Sequence, residues 1–151
     1  PGVIEPDIRG DLVSSIDTFP TVLSAAGIDV PDGLPGLDLW SSVQSGLSIR
    51  RDTIFGDCYA HDIPDLDDPE AGLMYLWCIQ DRWKLILTYD GEVNRYKVVH
   101  PRKDPIQLFD IVSDPHETRN LADQYRQVAA RLKERIEDWY PVTQRRLVSG
   151  K

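Results

Sequence analysis

The segment Ile106-Gln-Leu-Phe-Asp-Ile-Val-Ser-Asp-Pro-His-Glu-Thr-Arg-Asn-Leu-Ala122 decides how the second half of this chain is read. Ile106 to Ile111 has the apolar content of a strand. Asp114-Pro-His-Glu117 has the chemistry of a helix start: Asp114 as cap, Pro115 in the first turn, and Glu117 three residues on, able to bond back to the cap N–H. A final helix then opens at Asn120 or Asp123 and runs to about Tyr140, where Pro141 stops it. Its apolar stripe is Tyr125, Val128, Ala129, Leu132, Ile136 and Trp139, at three/four spacing. Eighteen or so residues at 1.5 Å rise give roughly 27 Å, enough to lie across a small sheet.

Upstream of this segment the sheet fills in. Thr53 to Tyr59 reads as a strand. Leu73–Ile79 and Trp83–Tyr89 read as a hairpin around Gln80-Asp-Arg82. Residues 90–105 are charged and loop-like, with Tyr96 to Val99 extended. The expected fold class is α+β: an antiparallel sheet of about four strands packed by a long C-terminal helix. Residues 1–50 differ in character and form a separate helical tail. Asp17 caps a helix over Thr18–Ala26, with Pro20 tolerated in its first turn and Gly27 just past its end. A second short helix is expected from Leu37 to Gln44, with Asp38 near its start and Gly46 after it.

The chain has 151 residues, 41% of them hydrophobic, in periodic runs that argue for a folded core. Acidic residues outnumber basic ones 25 to 17, for a formal charge of −8, which argues against nucleic acid as a partner. No apolar run is long enough to span a bilayer, so no membrane partner is expected. The sequence begins at Pro1 and its one methionine is Met74, so a processed or excised piece is expected. The compartment stays open: periplasmic, secreted or lysosomal if a signal peptide stood upstream. Cys58 and Cys78 lack zinc or redox spacing and are read as buried free thiols, with a cross-strand disulfide as the alternative.

Hydrolysis of a sulfate ester needs a nucleophile, a metal or cationic clamp for the sulfuryl oxygens and an acid for the leaving group. Neither a Cys nor a Ser stands in a Cys/Ser-x-Pro-x-Arg context. No Ser-His-Asp set is defensible, since Asp17 is explained as a cap. The loop from His61 to Gly72 holds five acidic residues and two prolines. It is read as a solvated loop, with weak calcium binding as the alternative. His100 and His116 are read as surface or structural. Arg50-Arg51 and Arg145-Arg146 default to the solvated surface. Tyr75, Trp77, Trp83 and Tyr89 are read as packing groups, with sugar stacking as the alternative. No metal ligands are identified in this chain.

In order along the chain, several runs resemble the C-terminal third of type I sulfatases, in the alkaline-phosphatase-like superfamily. They are Pro1-Gly-Val-Ile4, Ser15-Ile-Asp-Thr-Phe-Pro-Thr-Val-Leu23 with Ala26-Gly-Ile28, Gly36-Leu-Asp-Leu39, Gln80-Asp-Arg-Trp-Lys-Leu85 and Leu108 to Ala122. Asp38 departs from the usual Ser. The Asp114 to Ala122 run resembles the heparan N-sulfatase branch most. The resemblance implies that residues 1–50 are the tail of a larger α/β catalytic domain and 51–151 a C-terminal subdomain. It implies a sulfated carbohydrate or other sulfate ester as substrate. It places formylglycine and calcium in a missing N-terminal part, with no cofactor in this chain. It makes His61, with Asp62, the candidate substrate contact, because Phe55 to Asp62 is similar to a family run that reaches the substrate. A phosphonate or phosphodiester hydrolase of the same superfamily and a stand-alone carbohydrate-binding module are the alternatives. Exposed Phe19, Val22 and Leu23 are expected to make the isolated chain self-associate.

Overall fold

A computed structural model describes residues 4, 6–61, 63–91 and 104–149. Tyr96–Val99, His100 and Asp62 lie outside these. The chain divides into two compact units, Pro1–Ile54 and Phe55–Lys151.

The first unit is helical and polar-centred. A single 3₁₀ turn, Ser15–Asp17, leads into α1, Thr18–Ala25; α2 is Trp40–Ser45. Gly27, at φ 71, ends α1 as expected. The N–H of Ile28 donates to the Leu23 carbonyl and that of Gly27 to Ser24, the paired bonds that close a helix C-terminus. Gly46, also left-handed, follows α2, and Asp38 accepts from the Trp40 N–H before its start.

Asp17 does more than the expected cap. Its carboxylate makes no capping bond to α1. Instead it accepts from the N–H of Ser14 at 2.7 Å and of Leu37 at 2.8 Å, and it forms a two-armed ion pair with Arg51, one arm at 2.7 Å. Asp17 is 1% exposed, so this is a buried charge pair with its remaining oxygen capacity used. Its pKa is lowered to about 2, chiefly by the Arg51 hydrogen bonds and against the opposing effect of burial. The surface reading of Arg51 is thereby corrected. Gly36 lies so close to this hub that a Cβ there would stand 2.1 Å from the Ile16 carbonyl oxygen.

The second unit is a four-stranded antiparallel sheet in the order β1-β2-β3-β4, with β1 Thr53–Tyr59, β2 Leu73–Gln80, β3 Trp83–Thr88 and β4 Ile106–Asp110. The β2–β3 hairpin turns through two residues, Asp81 and Arg82, with Gln80 opposite Trp83 and Asp81 at φ 52. α3, Arg126–Trp139, covers one face. Leu76, Cys78, Leu85, Leu87 and Leu108 meet Ala129, Leu132 and Ile136 from α3 in one core, while Ile86, Thr88, Gln107 and Phe109, which alternate with them on β3 and β4, are buried on the other face. Cys78 is buried and Cys58 half-buried, both free thiols.

The Asp114–Ala122 run departs from its expected form. α3 starts at Arg126, later than expected, and Asp114-Pro-His-Glu117 is a turn outside any helix. Asp114 accepts from the N–H groups of Thr118 and Arg119, which lowers its pKa. Glu117 sits at φ 53 and pairs with Lys84 across the sheet, where the capping box would have turned it back to residue 114. Asn120 and Leu121 dock on the free edge of β4. The Asn120 Oδ1 accepts from the Leu108 N–H, its Nδ2 donates to the Ile106 carbonyl, and the Leu121 N–H donates to the Leu108 carbonyl. The run therefore covers a sheet edge that would otherwise stand unpaired.

Candidate functional site: the loop that follows the first strand

β1 delivers the chain to Tyr59, and the next residues carry the candidate histidine. The Ala60 N–H donates to the Gly72 carbonyl at 2.7 Å, closing the base of a loop from 60 to 72. His61 stands at that base, exposed. The loop's carboxylates are not simply solvated, contrary to the sequence reading. Glu70 is buried and accepts from the N–H groups of Thr143 and Gln144. Asp68 accepts from the Glu70 N–H and pairs with Arg145 at 2.8 Å. Arg145 is therefore a structural cation, and its surface reading is corrected. The segment around residues 143–145 thus grips the loop through two carboxylates. That segment is itself fixed by the bonds of Asp90 with Arg146 and of Val148 with Thr88.

These ties bound a cavity of about 360 Å³ lined chiefly by Tyr59, Ala60, Ile63, Pro64, Leu66 and Pro69. Asp65 and Asp68 stand at its polar side. The Tyr59 hydroxyl bonds to the Tyr140 hydroxyl at 2.9 Å, and burial together with that bond pushes its pKa well up, so it stays protonated. The slot is thus mostly apolar, with an imidazole at the base of the loop that forms it.

The other sequence candidates lie elsewhere. His116 is exposed on the turn beyond β4. Trp77 lies over Gly56, with the Lys84 ammonium 5.7 Å from its ring centroid, and Tyr89 is in the core. Among the described residues no three His, Cys, Asp or Glu side chains cluster to hold a metal ion. What sequence reasoning missed was the grip on the loop. Glu70 lies 73 residues from Thr143, and no local pattern announces such a contact.

Residues 1–141 match the family model described as N-sulphoglucosamine sulphohydrolase, C-terminal. The chain belongs to this family. Arylsulfatase K of Xenopus laevis is 28% identical over 121 residues, covering 75% of this chain and 19% of that protein. Arylsulfatase A of Bos taurus is 28% identical over 140 residues, covering 85% and 26%. The chain thus spans about a fifth to a quarter of the curated relatives it matches. Among solved structures, a Bacteroides thetaiotaomicron protein from a locus for the metabolism of multiple glycosaminoglycans superposes with a TM-score of 0.65. It is 22% identical, and the match covers 94% of this chain and 28% of that one. A protein solved with its substrate D-glucosamine-2-N,6-O-disulfate gives a TM-score of 0.59 at 21% identity, covering 83% and 23%. These likenesses show the fold. The chain is a sulfatase-family C-terminal domain, as its motif order suggested.

Proposed function

We propose that this chain is the C-terminal part of a sulfatase that hydrolyses a sulfate ester or sulfamate on a carbohydrate. The match of residues 1–141 to a sulfatase C-terminal family carries the reading. On this reading the nucleophile, a formylglycine, and a calcium ion belong to an N-terminal catalytic domain outside this chain. Residues 1–50 complete that domain, and 51–151 form the subdomain that leans over its substrate.

The exposed apolar side chains of the first unit support a covering partner. Phe19 and Val22 on α1 are 57% and 58% exposed, and Ile16 and Ile28 are exposed near them in sequence. A helix with such exposed apolar side chains calls for a neighbour, and the catalytic domain is the proposed one.

His61 and Asp62 are the proposed substrate contacts. In sulfate-ester cleavage the bridging oxygen gathers negative charge as its bond to sulfur breaks. An imidazole N–H aimed at that oxygen stabilises the charge and hands over the proton. The rest of this chain positions that group: β1 delivers it, and Glu70 with Asp68–Arg145 holds the loop.

The test pairs two samples. A polypeptide containing this chain and the upstream region is expected to release inorganic sulfate from sulfated sugars. The 151-residue chain alone is expected to release none from aryl sulfates at any calcium level. Calcium-dependent turnover by the pure chain would overturn the proposal.

A further inference from the structure

We infer that the cavity between the last turn of α3 and residues 141–147 binds an uncharged sugar. It encloses about 500 Å³, the size of a small-ligand site. Its described lining includes no residue of the 60–72 loop, so the inference stands apart from the role proposed for His61.

The walls are fixed by the sheet. Tyr89 bridges to Leu147, and the Val148 N–H donates to the Thr88 carbonyl. The Asp90 N–H donates to the Arg146 carbonyl, and the Arg146 N–H donates back to the Asp90 carboxylate. A ligand therefore meets a formed site and spends little of its binding energy on ordering the chain.

The polar groups of the lining are only half used. Tyr89 is 4% exposed, yet its hydroxyl bonds to none of the described residues. Burial, with the Glu137 and Glu70 carboxylates adding to it, pushes its pKa up to about 12, so it keeps its proton as a donor. The Glu137 Oε1 accepts from Lys133, and its Oε2 accepts from no described residue. Arg145 is held by Asp68, whereas the exposed Arg146 guanidinium pairs with no described residue. Pro141, Val142 and Leu147 supply an apolar wall.

This mixture of signs selects the ligand. An anion entering the cavity meets Glu137, and an ammonium group meets Arg145 and Arg146; like charges at close range are unfavourable. A polyol meets neither penalty. One hydroxyl can accept from Tyr89 and donate to the Glu137 Oε2, which no charged group of either sign can do. Arg146 can donate to a neighbouring sugar oxygen, and the C–H face of the ring can lie against Val142 and Leu147.

The experiment measures calorimetric binding of glucose, galactose and N-acetylglucosamine to the full-length protein, with inorganic sulfate and spermidine as charged competitors. At least one sugar is expected to saturate below about 10 mM, and neither competitor to displace it. Tyr89→Phe should weaken that binding about fivefold, the worth of one hydrogen bond, and leave Tm unchanged or raised, because the hydroxyl it removes has no partner to lose. A Tyr89 that only packs would leave the affinity alone. Arg146→Ala should weaken binding about threefold, and His61→Ala should not change it. Absence of saturable binding by all three sugars, displacement by sulfate or spermidine, or an affinity that ignores both Tyr89→Phe and Arg146→Ala overturns the site. An affinity lost in His61→Ala instead moves the sugar to the 60–72 loop, which overturns this site and leaves the proposed sulfatase function standing.

Discussion

The two units of this chain are held by opposite means. The sheet unit closes on an apolar core in which Leu76, Leu85, Leu108, Leu132 and Ile136 are wholly buried. The helical unit is organised around one buried carboxylate, Asp17, and leaves Ile8, Phe19, Val22 and Ile28 more than half exposed. The difference teaches what each unit needs from the rest of its protein. A hydrophobic core makes a body that stands by itself, whereas a polar hub beside exposed apolar side chains suits the proposed covering by a catalytic domain.

The largest expected effect is in the core. Leu132→Ala removes a fully buried side chain between α3 and the sheet and should cost about 4 kcal/mol. Chemical denaturation followed by tryptophan fluorescence measures it. A loss below 1 kcal/mol would mean that the sheet unit is not built on this core.

Asp17→Asn tests the other side of the comparison. It keeps the shape but leaves Arg51 without its counter-charge, and it should cost the first unit about 3 kcal/mol. Acid does the same reversibly. The native pKa of Asp17 lies near 2, below its ordinary value of 3.8, so its contribution is complete above about pH 4 and fades as pH falls towards 2. The gap corresponds to about 2 kcal/mol. Amide exchange followed from pH 5 to 2.5 should show residues 14–37 loosening early. Asp110 is likewise held low by Arg82, but that arginine is half exposed, so solvent weakens the pair. Simultaneous loosening of both units would erase the distinction drawn between them.

Glu70→Gln is expected to cost about 2 kcal/mol, since a charged acceptor of two backbone N–H groups becomes a neutral one. Its sharper signature is local: faster proteolysis between residues 60 and 72, with the core transition otherwise intact. Unchanged protection of that loop would show that the grip does not hold it.

Much of this was legible in the sequence where the signal is periodic. Strand alternation in Leu73–Gln80 and the three/four spacing of Ala129, Leu132 and Ile136 gave the sheet and its helix directly, because each pattern follows from the geometry of one element. Legibility failed where a distant partner decides. Glu117 satisfies the local rule for a capping box, yet Lys84 on β3 claims it. Arg51 and Arg145 look like surface cations until Asp17 and Asp68 are brought to them from 34 and 77 residues away. The candidate site divides the same way. His61 could be picked out because it follows a strand inside a family-like run, whereas the slot and its clamp required tertiary contacts.

The central claim is that this domain supplies a leaving-group contact to chemistry performed elsewhere in its protein. The direct measurement is kcat/KM of full-length wild type and His61→Ala across sulfate esters whose leaving groups range from nitrophenol to a sugar alcohol. The account predicts a loss of about 10²-fold for the poor leaving group, shrinking towards none for nitrophenol, which departs without a proton. An equal loss for every substrate, or none for the sugar sulfate, would contradict it.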